Sequence, residues 1–398
     1  SKSLARQSSP STHFLHSRRV CSCASTLEVP LLQSAPFPDV YNKMSSKKLV
    51  AVTGASGFIA SHIVNALLEE GYSVRAVVRD PSNEDKIAHL KALAEGKSGS
   101  LEFASGDLLK AGSFDEAFKD VEVVMHTAAV VEVLNIKDAQ KDIVDPALEG
   151  TKNVLDSIDK SPSVKRVIYT STCLAVQSFD KEDGYVFTEK DWNDWSTIQN
   201  GDAYGYGKTQ AEKLVHERAK GKPYTITCLN PGVVLGPVFC KAHTKASTAL
   251  VREVLYQNPM NEYSCSFVDA RDVAKAHVKA IDTPAAAGQR FLLVVDGPCM
   301  LTTALGPIAE RVLPEFSTAA KPRFSPAVFG VLSTLSRIPG LGGLLMSEFQ
   351  RLASTKPILF SNAHAKEVLG MSFRSLDDTV RDSAKSMVDG GYIKAKKK

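Results

Sequence analysis

The chain lacks a cysteine framework, a long uninterrupted apolar run and a strong charge bias. Its seven cysteines are odd in number and scattered. That excludes a disulfide-stapled secreted scaffold and points to a reducing compartment, with a cytoplasmic location expected. Cys21-Ser22-Cys23 has no second pair at zinc spacing, so no metal site is expected. A net charge of +4 over 398 residues is too mild to suggest a nucleic-acid partner. The most apolar stretch, Phe324 to Leu345, contains Arg337, three serines, two prolines and four glycines. A spanning helix needs about 20 predominantly apolar residues, so no integral membrane segment is expected there. It reads instead as an amphipathic helix and loop over the active site. Internal repeats and low-complexity tracts are also missing from the body of the chain.

What is present is an ordinary globular composition, 43% hydrophobic and 23% charged. Residues 1–47 differ. They are rich in Ser and Pro, with Arg6, Arg18, Arg19 and Lys43 set against Glu28 and Asp39. Such a segment cannot build a core and is expected to be a disordered extension. It reads either as an organellar transit peptide or as sequence upstream of a start at Met44, the second being preferred. The basic run from Lys394 to Lys398 reads as a solvated tail.

After Met44 the pattern alternates. Strands are expected near 48–53, 73–79, 101–105, 121–126, 164–171 and 224–230, with helices near 57–70, 112–119, 140–159 and 202–220. This alternation predicts an α/β fold, a doubly wound parallel sheet with right-handed crossovers. Ala270 to Ile281 reads as a helix and Phe291 to Val295 as a strand rejoining it. The expected division is a dinucleotide-binding domain over 48–238, completed by about 267–297. A smaller substrate lobe is expected over 239–266 and 298–398.

Two motifs carry chemistry. Lys48 to Val52 reads as a buried strand and Phe58 to Glu70 as a helix, joined by Thr53-Gly54-Ala55-Ser56-Gly57. Gly54 permits the tight turn, and Gly57 lets the backbone approach a phosphate. The following helix start offers free N–H groups and a positive dipole end to a pyrophosphate. Ala60 stands where the fingerprint allows a third glycine or alanine. At the end of the second strand the ribose-binding acid is replaced by Val78, followed by Arg79. A guanidinium there suits the 2′-phosphate of NADP, with Lys86 as a second positive charge. Asp80 is a competing partner for Arg79.

The second motif is Tyr204-Gly205-Tyr206-Gly207-Lys208. On a helix, Tyr204 and Lys208 share a face. A lysine ammonium and an oxidised nicotinamide are both expected to favour the phenolate and lower its pKa from about 10. Tyr392 and Lys396 match the same spacing and are set aside as part of the basic tail. Arg166 to Cys173 reads as a buried strand ending in the hydroxyls of Ser171 and Thr172. One of these hydroxyls would polarise a substrate carbonyl, the residues alone leaving open which.

Together these stretches resemble an extended short-chain dehydrogenase/reductase of the dihydroflavonol-reductase-like branch, within the NAD(P)-dependent epimerase/dehydratase superfamily. Supporting stretches are Val52 to Ala60, Val74 to Pro81, Gly106-Asp107-Leu108, Val124 to Ala129, Asp145 to Thr151, Asn230 to Pro237 and Phe267 to Ala274. The resemblance implies an NADPH-dependent aldehyde or ketone reductase, monomeric or homodimeric. It implies a cofactor site of Gly54, Ser56, Gly57, Phe58 and Ile59, with Arg79 and Lys86 at the 2′-phosphate. Asp107 and Leu108 would lie by the adenine, Thr127, Ala128 and Ala129 along the ribose path, and Pro231, Gly232, Val233 and Val234 along the nicotinamide. Thr172 is the implied catalytic hydroxyl, with Ser171 as the fallback, alongside Tyr204 and Lys208. His126 reads as a packed strand-end residue. Asp202-Ala203-Tyr204-Gly205-Tyr206 departs from the cinnamoyl-reductase signature Asn-Trp-Tyr-Cys-Tyr and argues against that subgroup. The alternatives are a 3β-hydroxysteroid or sterol dehydrogenase acting oxidatively with NAD, and a dinucleotide-binding protein without chemistry. A sugar-nucleotide epimerase is disfavoured by the missing acid at Val78.

Overall fold

Apolar runs such as Leu49-Val50-Ala51-Val52 suit strands buried on both faces, because every second residue must find a different core. The computed structural model describes residues 48–129, 136–338 and 346–398, and the extension over 1–47 lies outside the described residues. Seven strands form one parallel sheet: β1 (Leu49–Thr53), β2 (Ser73–Val78), β3 (Ser100–Ser105), β4 (Val123–His126), β5 (Arg166–Thr170), β6 (Thr225–Pro231) and β7 (Arg290–Leu293). Their spatial order is β7-β6-β5-β4-β1-β2-β3. Chain order therefore reverses between β1 and β4, and the crevice outside their C-terminal ends is where such sheets bind ligands.

Helices cover both faces. On one side α1 (Phe58–Glu69) packs against α6 (Ala270–Asp282), burying Ile63, Val64 and Leu67 with Val50 and Val52 of β1. On the other, α3 (Asp145–Asp159) packs against α4 (Ala203–Ala219), burying Val154, Leu155 and Val215 with Ala51. Between β2 and β3 runs α2 (Glu84–Ala94), whose Ile87 and Leu90 face inward.

Several expectations need correction. Residues 112–119 do not form a helix; they are a run of turns. Gly112 sits at φ +73°, Ser113 bonds back to both backbone groups of Asp107, and the N–H bonds reach mostly three residues back. The stretch still buries Phe114 and Phe118, stacked 5.5 Å apart. The helix expected over 140–159 begins as a π-helical turn, Gln140–Val144, before Pro146 opens the regular α3.

The basic tail is not free either. Phe316 and Lys397 form an antiparallel bridge, and the Ser317 N–H reaches the Lys396 carbonyl at 2.7 Å. Only the lysine side chains of that segment face water.

Within the stretch assigned to a substrate lobe, α5 (Ala249–Tyr256), α7 (Leu305–Val312) and the last helix pack together. The intervening helices are α8 (Pro326–Leu335), α9 (Glu348–Thr355), α10 (Ala363–Leu369) and that last one, α11 (Leu376–Asp389). α11 is tied to the start of α6 by polar groups: Thr379 donates to buried Asp269 at 3.0 Å, and Arg374 pairs with Asp272. α8 exists, but Val328 and Val331 on it face solvent, and the rest of that apolar stretch, 339–345, lies outside the described residues. Among the described residues no helix is long and apolar enough to cross a membrane.

Candidate active site

The glycine turn is built by close approach. Gly54 has φ +64°, and a Cβ there would stand 3.0 Å from the Ala128 backbone and Cβ. An alanine would meet both the backbone preference and the neighbouring chain. The Gly57 N–H donates to the Gly54 carbonyl at 2.8 Å, closing the turn. Gly57 then caps α1 without a side-chain bond, and the first turn holds no acidic residue. The helix therefore presents its opening N–H groups and positive dipole end without a built-in anion. Ser56 and Ile59 are half-buried beside it, and Phe58 is buried in the core. Thr53 braces the adjacent strand, its hydroxyl accepting from the Thr127 and Ala128 N–H groups, each at 3.2 Å. The Thr127 hydroxyl donates to the Thr53 carbonyl. His126 lies 2.9 Å from the Thr53 hydroxyl, and burial with the nearby Lys208 charge pushes its pKa down to about 3. It is packed, as read from the sequence.

Tyr204 and Lys208 stand in the first turns of α4. Asp202 caps that helix, its carboxylate accepting from the Gly205 N–H at 2.9 Å. Ser196 donates to the same carboxylate at 2.6 Å, and Asn193 holds Ser196 at 2.7 Å. This buried chain fixes the helix start, and with it the phenol. Tyr204, Lys208, Leu108, Ala128 and Ala129 line one cleft. Ile143, Pro146, Ala147, Gly150, Thr151 and Tyr169 complete its wall. These residues had no role assigned from the sequence, although Asp145 to Thr151 had already stood out as a stretch. Gly150 lets α3 close on Leu108, since a Cβ would lie 3.2 Å from the leucine Cβ.

The electrostatics depart from expectation. Burial pushes the Tyr204 phenol up to about 12, with the charges of Cys173 and Asp202 adding to it. Lys208 does not offset this. Its ammonium donates to the Thr170 carbonyl at 3.2 Å, lies 5.4 Å from the Tyr169 ring centre, and is itself pulled down to about 8 by burial. Desolvation of both groups outweighs their mutual effect.

The two candidate hydroxyls separate cleanly. Ser171 donates to Glu212, which is fully buried and also accepts from Asn230 at 2.8 Å and Arg290 at 2.6 Å. Thr172 accepts from the Leu174 N–H at 3.3 Å and lies at the start of the short 3₁₀ turn Cys173–Ala175. Beyond that turn an aromatic group gathers: Trp195 and Phe349 pack edge-on against Phe179 at 5.0 and 6.0 Å. Phe349 belongs to α9, and its N–H donates to Asn200 just before Tyr204.

The remaining predicted residues lie around this centre rather than in the cleft wall. Arg79 is exposed at the end of β2 and has no ion pair among the described residues. Asp80 does not engage it, because its carboxylate accepts from Ser82 at 2.6 and 3.0 Å. Lys86 is exposed on the first turn of α2. Asp107 accepts from the Leu109 N–H at 3.0 Å. Pro231 ends β6, and Gly232 is needed for packing, since a Cβ would sit 2.4 Å from the Ser266 carbonyl oxygen. Val233 is half-buried, and Val234 packs into the main core.

Comparison with known proteins agrees with this architecture. The chain is 36% identical over 260 residues to cinnamoyl-CoA reductase CAD2 of Medicago truncatula, covering 63% of this chain and 78% of that one. It is 31% identical over 362 residues to the NADPH-dependent methylglyoxal reductase GRE2 of Saccharomyces cerevisiae, covering 85% and 98%. The solved structure of Gre2 from Candida albicans in complex with NADPH superposes with a TM-score of 0.70 at 26% identity, covering 86% and 99%. Residues 50–293, more than half of the chain, match the family model, and the chain thus belongs to the NAD dependent epimerase/dehydratase family.

Proposed function

We propose that the protein is an NADPH-dependent reductase of an aldehyde or ketone. The observation that carries this reading is the cleft that Tyr204 and Lys208 share with Ala128, Ala129 and Leu108 at the reversal of strand order. Similarity to the NADPH-dependent methylglyoxal reductase supports the same chemistry.

The residues fit a dinucleotide. The start of α1, without a side-chain cap, and the Gly54 turn suit a pyrophosphate, and the Arg79 guanidinium, without an ion pair among the described residues, suits a 2′-phosphate. When bound, the reduced nicotinamide supplies a hydride to the carbonyl carbon. Tyr204 then donates its phenolic proton to the carbonyl oxygen, and the Thr172 hydroxyl holds that oxygen in place. Ser171 is disfavoured for the second task because its proton is committed to Glu212. Lys208 keeps a positive charge beside the reacting groups and holds the end of β5 through Thr170. A phenol held at about 12 stays protonated at neutral pH. A protonated phenol is what a proton donor needs. The experiment is Tyr204→Phe. Turnover of a carbonyl substrate, followed by NADPH absorbance, should fall by about 10²–10⁴ with the fold intact. Near wild-type turnover in a folded variant would sink the assignment.

A further inference from the structure

Behind the glycine turn, three potential ligands meet from distant parts of the chain. His89 comes from α2, while Cys240 and His243 come from the loop and 3₁₀ turn that lead to α5. One nitrogen of each imidazole and the Cys240 sulfur all lie within 4.8 Å of one another. The two rings stand edge to face at 5.1 Å. We propose that His89, Cys240 and His243 form a binding site for a divalent transition ion of the zinc type.

The hydrogen bonds set the tautomers. Ser61 donates its hydroxyl proton to the Ala55 and Gly57 carbonyls at 3.1 and 2.8 Å. With that proton on a carbonyl, Ser61 accepts from His89 Nε2, 3.0 Å away. In that tautomer the His89 Nδ1 carries a lone pair. That Nδ1 is buried and has no hydrogen-bond partner among the described residues. His243 repeats the arrangement, since its Nε2 faces the Ser56 carbonyl at 3.1 Å and must donate. Its Nδ1 is left with a lone pair, which receives only a long bond of 3.4 Å from the Phe239 N–H. A carbonyl or hydroxyl on the far nitrogen is how metal-binding histidines are commonly oriented.

The donor set selects the ion. Two imidazoles and a thiolate favour zinc over calcium or magnesium, which prefer oxygen. Tetrahedral zinc holds such atoms roughly 3.3–3.6 Å apart, so binding needs a contraction of at most about 1.5 Å. Three protein ligands leave a fourth position for water. Another grouping, Glu212, His216 and Cys228, is a poorer candidate because Glu212 is already held by Arg290, Asn230 and Ser171. Bound at the first site, the ion would join α2 and the Phe239–Lys245 segment to the carbonyls of the glycine turn.

The test is titration of the full-length chain with Zn²⁺ and Co²⁺. One equivalent of zinc should bind, raising the melting temperature by several degrees. Cobalt should give a thiolate charge-transfer band and tetrahedral visible bands. Both signals should vanish in C240S and weaken at least tenfold in H89A, and persist in C228S and in the double variant C21S/C23S. Circular dichroism without metal establishes that each variant is folded, and should C240S not fold, H89A decides. Signals that survive in folded C240S or in H89A, that disappear in C21S/C23S or C228S, or that never arise in the wild type would overturn the site.

Discussion

Lys208 is an ammonium held out of water at a cost. Its pKa is pulled from 10.5 to about 8 in the folded chain. Below pH 8 it is charged in both folded and unfolded states, so the penalty is fully present, about 3 kcal/mol from the shift. As pH rises from 8 toward 10.5 the folded form sheds its proton first and the penalty fades. Lys208→Met should therefore stabilise the protein at pH 7, by about 1–3 kcal/mol after loss of the Thr170 bond, while turnover collapses. Urea unfolding of the variant at pH 7 and pH 10 checks this, and a destabilised variant would refute it. Arg79 makes an opposite kind of prediction, because it is exposed. Arg79→Ala should raise the Michaelis constant for NADPH roughly ten- to a hundredfold, in line with charge-assisted bonds of about 1.5–3 kcal/mol. The constant for NADH should hardly move, and equal effects on both cofactors would remove Arg79 from the 2′-phosphate.

α4 presents Tyr204 and Lys208 to the cleft from a first turn that is pinned. Asp202 caps it and is held in turn by Ser196 and Asn193. Gly205 must stay a glycine, since a Cβ would collide with the Asp202 carboxylate at 2.1 Å. Asp202→Ala should cost about 1–2 kcal/mol of stability in chemical denaturation. It should lower kcat more than that loss would suggest, because the frayed turn contains Tyr204, and an unchanged kcat would show the cap to be merely structural.

This element also shows what a sequence can and cannot reveal. The Tyr204–Lys208 spacing and the Gly54–Gly57 turn were readable because each is a local relation of a few residues on one element. The preference for Thr172 over Ser171 came from the family resemblance; the bond of Ser171 to Glu212, brought in from another helix by the fold, was not readable. The upward pull of burial on Tyr204 was not readable for a similar reason: burial is a property of the assembled cleft. The failed helix over 112–119 was decided by Ser113 reaching back to Asp107. The His89, Cys240 and His243 group has no sequence spacing to notice, as α2 and the 3₁₀ turn meet only in three dimensions.

The whole molecule should be sensitive to acid. His62, His126 and His277 are buried, and desolvation lowers their pKa values to about 4, 3 and 4. The unfolded chain takes up these protons near the ordinary 6.5, well before the folded chain does. Stability contributed by the neutral rings is therefore present above pH 6.5 and drains away as pH falls through the folded values. Near pH 5 the slope should approach about 4 kcal/mol per pH unit for three protons. Circular dichroism against pH should show cooperative unfolding before pH 4, and His277→Asn should flatten the slope; an unaltered slope would argue against that histidine.

The same wide view gives Glu212 a larger meaning. One carboxylate bolts the helix bearing the phenol to the ends of three neighbouring strands, through Ser171, Asn230 and Arg290. The edge that carries Tyr204 and Lys208 is thereby braced, while Phe179, Trp195 and Phe349 form a separate aromatic cluster beyond the Cys173–Ala175 turn. Directed evolution toward new carbonyl compounds should accordingly tolerate randomising that cluster better than the bolt, whose libraries should yield mostly inactive clones.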